Sequence, residues 1–174
     1  LTGLSPGTTY YFCAIAGNSV GTSFGAVLSF TTPSAPTVTT SAASAVTGSL
    51  ASLNGSAIPN GTAATGYFRY ATTTPGTCND TFGTRAPASS ASDTSLGAGS
   101  TAVPYTRPIA SLTPGTTYYV CAIGRNTYGT SFGSLLSFTT PATAPTVTTN
   151  SPTLLTGATG QLNGSANPGG DATT

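Results

Sequence analysis

The sequence predicts an all-β protein made of tandem β-sandwich repeats of about 108 residues. Threonine, serine, alanine and glycine dominate the composition, and tyrosine and phenylalanine are the main bulky residues. This mixture favours strands and turns over helices. Short β-rich runs alternate with clusters of Gly, Pro, Asn and Ser, which is the spacing typical of a sandwich. The chain also repeats itself at a fixed distance, and that distance sets the length of the unit.

The internal repeat is clearest around the two occurrences of TTYY. Residues 1–33 and 109–141 align without a gap at an offset of 108, and 22 of the 33 aligned positions are identical. After one inserted residue the similarity continues, with 34–40 matching 143–149. Agreement over this length does not arise by chance, so we expect matching regions to fold in the same way.

These matches divide the chain into one complete unit and two partial ones. Residues 53–61 match 162–170 in the same register. We therefore expect a complete repeat at 34–141, the C-terminal part of a preceding repeat at 1–33 and the N-terminal part of a following repeat at 142–174. Each partial segment has too few strands to close a sandwich, so we expect neighbouring copies to order both.

Within the complete unit, the strands are predicted from β-rich runs bounded by turn residues. The stretch 79–99 is predicted to be rich in loops. The strands are predicted near 37–40, 45–57, 65–73, 100–106, 116–124 and 132–140.

The strand at 116–124 has a regular alternation of side chains, and neighbouring side chains of a strand point to opposite faces of the sheet. The alternation therefore separates a face that enters the core from a face that points outward. The core face is predicted to contain Tyr118, Val120 and Ala122, and the outward face Tyr119, Cys121 and Ile123.

The strand before the first NG turn contributes mainly small side chains to the core. They share one face of the strand and form a thin core layer, which Leu136 and Phe138 of the last strand are expected to cover. The residues of this layer are Ala51, Leu53, Gly55 and Ala57.

Charge is nearly absent from the chain. Only 4 % of the residues are charged, and the four cations nearly cancel the three anions, whereas roughly a quarter of an ordinary soluble domain is charged. Such a surface does not attract nucleic acid or anionic lipid. No run approaches the roughly twenty apolar residues that a membrane helix needs, so we expect no membrane insertion.

Catalytic and metal chemistry have few residues to use. No histidine or lysine is present to serve as a base for a Ser, Thr or Cys nucleophile. Asp80 and Asp93 are the only acidic residues of the complete unit, and we expect them to solvate loops. Together with Asn79 they are too few, and wrongly spaced, for a calcium loop. We therefore expect no enzymatic activity, no metal site and no cofactor.

The second half of the unit contains a specific motif, made of Leu112, Pro114, Gly115, Thr116, Tyr118, Asn126 and Gly129 and followed by the closing SFTTP. This motif resembles the second half of a fibronectin type III domain. The first half of the unit, with APTVTT, LNGSAxPxG and TGYFRYATT, is similar to the bacterial secreted variety of that fold. The resemblance implies a tyrosine corner, in which Tyr118, and Tyr10 in the preceding repeat, bond to the nearby backbone.

The sequence departs from the animal members of that family in one informative place. The tryptophan usual in the second strand is missing, and small residues with Leu53 stand there. Since the chain also has no RGD tripeptide, integrin binding has no support.

The repeat also explains the odd number of cysteines. Cys13 and Cys121 occupy the same position in successive units, so Cys78 is the second cysteine of the complete unit. In the fold that the resemblance implies, Cys78 follows the strand next to Cys121. We expect a Cys78–Cys121 disulfide, with the partner of Cys13 in the preceding repeat, and therefore an oxidising, extracellular location. The alternative is two unpaired thiols.

The outward stripe of Tyr119, Cys121 and Ile123 has two interpretations. An exposed sheet face is normally polar, so an apolar stripe indicates a contact surface. Alternatively, the loop that carries Cys78 folds over the stripe and buries it. The sequence leaves both interpretations open.

We expect a structural or adhesive repeat of an extracellular bacterial filament, stalk or surface protein, whose partners are other copies of itself. The short linker between Pro141 and Pro145 predicts that successive sandwiches stack end to end as a stiff rod. The alternative is a spacer or carbohydrate-binding module of a secreted polysaccharide-degrading enzyme, as the resemblance implies. Its candidate glycan-stacking residues are Tyr67, Tyr119 and Tyr128.

Overall fold

The computed structural model describes residues 1–171. Within them the elements are β-strands and one short 3-10 helix, so the predicted all-β class is confirmed. No helix in this described range is long and apolar enough to cross a membrane.

The N-terminal segment, residues 1–33, forms two small antiparallel pairs. Strand β1 (Thr9–Phe12) pairs with β4 (Leu28–Thr31). Strand β2 (Ile15–Gly17) pairs with β3 (Thr22–Phe24). Both pairs match, in sequence and in order, strands of the second half of the central unit.

The central unit, residues 34–141, is a β-sandwich. Its strands are β5 (Thr37–Ser44), β6 (Leu50–Ile58), β7 (Ala64–Ala71), β8 (Thr84–Ala86), β9 (Thr94–Gly97), β10 (Val103–Ala110), β11 (Thr117–Asn126), β12 (Gly129–Phe132) and β13 (Leu136–Thr139). One sheet has the order β10-β6-β5. In the other sheet, β7 lies between β11 and the short strands β8 and β9, and β11 pairs with β12 and β13 on its far side.

The C-terminal segment, residues 142–174, contains β14 (Thr146–Thr153) and β15 (Gln161–Asn167), which form an antiparallel pair. The end segments have the same strand pairing as the matching parts of the central unit. The equivalent pairs are Thr9 with Thr31 and Thr117 with Thr139, and Thr37 with Ile58 and Thr146 with Asn167.

Several predicted strand limits were wrong. The strand predicted at 132–140 is interrupted, since β12 ends at Phe132 and β13 begins only at Leu136. Between them the Gly133 amide donates to the Ala122 carbonyl at 2.9 Å. The strand predicted at 45–57 begins only at Leu50, since residues before it form a turn closed by hydrogen bonds between Thr47 and Leu50. The loop-rich stretch 79–99 also contains two short strands and the 3-10 helix.

Strand β10 lies three or four residues farther along the chain than predicted. It contains Pro104 and Pro108, which cannot donate backbone hydrogen bonds. The strand tolerates both because it is an edge strand, paired on one side only with β6.

The core lies between the two sheets and contains the predicted core face of β11 together with the small-residue layer of β6. Sequence reasoning missed an aromatic pair in this core, Phe68 and Tyr105. The rings of Phe68 and Tyr105 lie 4.9 Å apart. A Cβ on Gly66 would lie 2.9 Å from the Tyr105 ring, so the strand needs glycine there. The buried Tyr105 hydroxyl donates to the Ile123 carbonyl at 3.0 Å.

Candidate functional site

The outward stripe of β11 is buried, and the interpretation of it as an exposed contact face was wrong. Cys121 and Ile123 are both 0 % exposed, and Tyr119 is half-buried. The loop between β7 and β8 folds over the stripe, and Phe82 of that loop packs against it. Leu135, from the β12–β13 connection, completes the cover. The result is a second, small core on the outer side of the sheet.

A disulfide joins this loop to the sheet. It links Cys78 in the loop to Cys121 in β11, with the two Cα atoms 5.9 Å apart. The equivalent Cys13 in the N-terminal segment is exposed and forms no disulfide within residues 1–171. The disulfide ties the covering loop to the middle of β11.

Two ion pairs hold the same region, which corrects the expectation that Asp80 and Asp93 solvate loops. The Arg69 Nε donates to Asp80 at 3.1 Å. Arg85 donates through one nitrogen to both carboxylate oxygens of Asp93 at 2.7 Å, and the Asp93 side chain is only 7 % exposed. The two pairs bring four of the seven charged residues together on the outer face of the sheet that contains β7. Their clustering between positions 69 and 93 was the sequence signal that could have predicted them.

Tyr67 lies at the centre of this arrangement. Its hydroxyl donates to Asp80 at 2.7 Å, and the guanidinium carbon of Arg85 lies 3.9 Å from the ring centroid. Burial, with the hydrogen bond to the Asp80 carboxylate as the second cause, raises the pKa of the Tyr67 hydroxyl well above its usual range. The hydroxyl is therefore a permanent donor at neutral pH.

Asn79, which the sequence offered with Asp80 and Asp93 as an oxygen ligand, makes hydrogen bonds within its own loop. Asn79 uses its side-chain oxygen to accept hydrogen bonds from Thr81 and from the Phe82 amide. Over residues 1–171 no group of three or more His, Cys, Asp or Glu side chains could hold a metal ion.

The predicted tyrosine corner lies where the strand register requires it. The Tyr118 hydroxyl accepts a hydrogen bond from the Thr113 amide at 2.9 Å, next to the buried Leu112. The Tyr10 hydroxyl accepts one from the Ser5 amide at the same distance. The N-terminal segment and the central unit thus anchor the start of the strand in the same way.

The candidate glycan-stacking residues do not form an exposed aromatic surface. Tyr67 is buried, Tyr119 is half-buried, and Tyr128 is exposed. Since a sugar ring stacks on an accessible ring face, Tyr128 alone among the three can offer one.

The first joint connects the N-terminal segment to the central unit through a short linker at Pro33 and Ser34. Two glycines lie beside this linker. A Cβ on Gly7 would lie 3.3 Å from the Ser34 hydroxyl, and a Cβ on Gly61 would lie 3.7 Å from Pro33. The Ser34 amide donates to the Asn60 carbonyl at 3.3 Å. The linker is therefore attached to the turn that follows β6.

The second joint connects the central unit to the C-terminal segment. Its residues at the positions equivalent to those of the first joint lie closer together. The Thr143 amide donates to the Gly169 carbonyl at 2.8 Å, as Ser34 does to Asn60 in the first joint. Gly115 and Gly170 have φ angles of 62° and 93°, and a Cβ on Gly115 would collide with the Gly170 backbone. The same joint is thus built twice along the chain.

These features define an all-β chain whose central sandwich contains a disulfide and is flanked by two segments with the strand pairing of the matching parts of the sandwich. No protein-family model and no curated protein matches the chain.

Some solved structures are similar to the chain at a low level. The sensor domain of the anti-sigma factor RsgI4 from Pseudobacteroides cellulosolvens matches with a TM-score of 0.40 and 18 % identity, over 63 % of this chain and 98 % of that one. Its solution structure gives 0.41 and 21 %, over 60 % and 74 %. The chicken CNTN1 FN1-FN3 domains give 0.38 and 18 %, over 79 % and 44 %. Likenesses this weak imply nothing about function, and the fold class is defined by the strands of this chain itself.

Proposed function

We propose that the chain is part of a tandem array of fibronectin type III-like repeats that forms a structural or adhesive element of an extracellular bacterial filament, stalk or surface protein. In this proposal, residues 1–33, 34–141 and 142–174 belong to three successive repeats. The observation that carries the proposal is the joint, which is built twice from equivalent residues. A repeated joint of this kind supports units that follow one another at a regular spacing.

The distribution of charge supports the same function. The two ion pairs lie together on one face of the central unit, so the rest of the surface is almost free of charge. Little repulsion then opposes close packing of neighbouring arrays. The Cys78–Cys121 disulfide suits an oxidising compartment outside the cell.

We propose no catalytic role and no cofactor for the chain. Asp80 and Asp93, the carboxylates of the central unit, are each engaged by an arginine. A carboxylate held in this way stabilises the fold, and no base lies beside a nucleophile in the sequence.

The alternative, a spacer or glycan-binding module of a secreted enzyme, gains no specific support from the described residues. Carbohydrate sites commonly present coplanar aromatic rings, and Tyr67 is buried beneath the loop. A glycan-binding screen on the chain separates the two functions, since binding that depends on Tyr128 favours the alternative.

Immunogold electron microscopy of the native source tests the proposal. Antibodies raised against the chain are expected to label fibres, stalks or a surface layer at regular intervals. Labelling confined to a secreted polysaccharide-degrading enzyme would overturn the proposal in favour of the alternative.

A further inference from the structure

Strand β10 forms a long open edge of the central sandwich. It has eight residues and pairs with β6 along one side, and no described strand is hydrogen-bonded to its other side. The other edge strands β8, β9, β12 and β13 have only three or four residues each. An open edge of the length of β10 normally offers backbone donors and acceptors to a strand of another molecule.

Strand β5 is equally long and also pairs with β6 alone, but its free side is covered in the middle. Thr40 of β5 is buried, and its hydroxyl accepts a hydrogen bond from the Ala122 amide at 3.0 Å. The connection between β12 and β13 passes so close that a Cβ on Gly133 would collide with the Thr40 backbone. An added strand cannot lie along β5, so β10 is the edge of the central unit that needs protection.

Two prolines remove hydrogen-bond donors from the open edge of β10. Successive residues of an antiparallel strand direct their backbone N–H groups to alternate edges, so the residues at even positions share one edge. They are Pro104, Thr106, Pro108 and Ala110. The pairing with β6 is regular over the whole strand, and a proline nitrogen has no hydrogen to give to it. The shared edge is therefore the open one, where two of the four donors are missing.

Arg107 places a charge at the same edge. It lies opposite the fully buried Leu53 in the pairing with β6, so its side chain shares the core-facing side of β10 with Tyr105 and Ile109. Arg107 is partly exposed because no further strand covers it. An added strand would take this charge away from water, which is costly without an anionic partner. Within residues 1–171 no strand contains an acidic residue, so a strand from another copy would not supply one.

We propose that Pro104, Arg107 and Pro108 together block the addition of a strand from a second copy of the repeat at β10. Similar units in one array are present to each other at high local concentration, and open edges would let their sheets join in wrong pairs. The role of the block in an array rests on the proposed function and deepens it, because neighbouring arrays then pack through side chains and do not share sheets. The block itself lies within the central unit.

Hydrogen exchange of the backbone amides tests the geometry of this edge in the parent chain. The Thr106 amide points to the open side and should exchange fast, whereas the Tyr105 and Arg107 amides point to β6 and should be protected. A Thr106 amide as well protected as that of Tyr105 would show that the edge is already occupied, and the proposal would be wrong.

Restoring the missing donors tests the block itself. Pro104→Thr/Pro108→Thr gives the open edge two more N–H groups and two residues that favour strands. We expect sedimentation velocity of the 174-residue double variant to show heavier species than the parent chain shows at the same concentration, and additional Arg107→Thr should increase their share. The control Pro6→Thr/Pro75→Thr changes two prolines outside the strands and should sediment as the parent chain does.

Exchange at Thr106 identifies the cause of the association. Edge pairing should slow the Thr106 amide of the double variant at high protein concentration, while the Tyr105 amide stays protected. Sedimentation equal to that of the parent chain would overturn the proposal. Association in which Thr106 stays fast, or in which Tyr105 loses its protection, would also overturn it, because such species arise from other surfaces or from unfolding.

The immunogold result does not depend on these outcomes. If the double variant fails to associate while fibres are labelled, the block at β10 is removed and the proposed function stands. If the variant associates through Thr106 but the labelling is confined to a secreted enzyme, the block remains a property of the central unit and the proposed function is removed.

Discussion

The guanidinium carbon of Arg85 lies 3.9 Å from the centroid of the Tyr67 ring, on the outer side of β7. The same guanidinium donates to both carboxylate oxygens of Asp93, so one arginine joins the aromatic ring to the chain before β9. Stacking on an aromatic face and pairing with a carboxylate are both suited to the planar guanidinium.

Removing the negative charge of Asp93, the partner of Arg85, should destabilise the central unit. Asp93→Asn leaves the Arg85 charge largely buried without its partner, and we expect a loss of about 1.5–3 kcal/mol in the free energy of unfolding. Arg125→Gln, at an exposed position of β11, is the control and should change stability little. Urea denaturation measures both, and equal effects would show that the pair has no special role.

Reduction of the disulfide should lower the unfolding temperature of the chain. The bridge restrains the unfolded chain between Cys78 and Cys121, which are 43 positions apart, and closing a loop of this size stabilises a protein by about 2–4 kcal/mol. Thermal unfolding with and without reductant measures the effect. Free thiols at both positions in a digest of the untreated chain would contradict the prediction.

Removal of the Tyr118 hydroxyl should cost about 1 kcal/mol. Tyr118→Phe keeps the stacked contact with Phe138 but leaves the Thr113 amide without its acceptor. Tyr128→Phe changes the same atom on an exposed ring and should be neutral. A neutral Tyr118→Phe variant in chemical denaturation would refute the role of the corner.

The chain should lose stability at alkaline pH. Burial raises the pKa of both Tyr67 and Tyr105 above the usual value of about 10, so the fold favours the neutral phenols. As the pH rises above about 10, the unfolded chain loses these protons first, and unfolding becomes easier by up to about 1.4 kcal/mol per pH unit for each tyrosine.

Chemical denaturation at several pH values measures this slope. Tyr67→Phe should reduce the alkaline slope, whatever it does to stability at neutral pH. A free energy of unfolding that stays constant above pH 10 would contradict the assignment of both tyrosines as neutral in the fold.

The second joint should loosen when Gly115 gains a side chain. Gly115→Ala introduces a Cβ that collides with the Gly170 backbone, whereas Gly76→Ala adds one at a similar positive φ with nothing within 4 Å. Small-angle scattering should therefore show a wider range of shapes for Gly115→Ala than for Gly76→Ala. Identical scattering from the two variants would mean that the glycine contact does not hold the joint.

The sequence by itself determined the all-β class, the alternation of β11 and the matching of the end segments to the central unit. It could do so because strand periodicity and self-similarity are properties of residue order alone. The alternation of β11 also predicted that Tyr118 lies on the core face, and the Tyr118 side chain is buried there.

Only the tertiary structure decided which surface covers which. Whether Ile123 faces solvent depends on the path of a loop more than 40 positions earlier in the chain, and no local pattern encodes that path. The pairing of Arg85 with Asp93 and the approach of Gly115 to Gly170 have the same origin. Each of these contacts joins segments that come together only after the sheets have packed. Its energy depends on how deeply the groups are buried and how far apart they lie, and the packed sheets and linkers determine both.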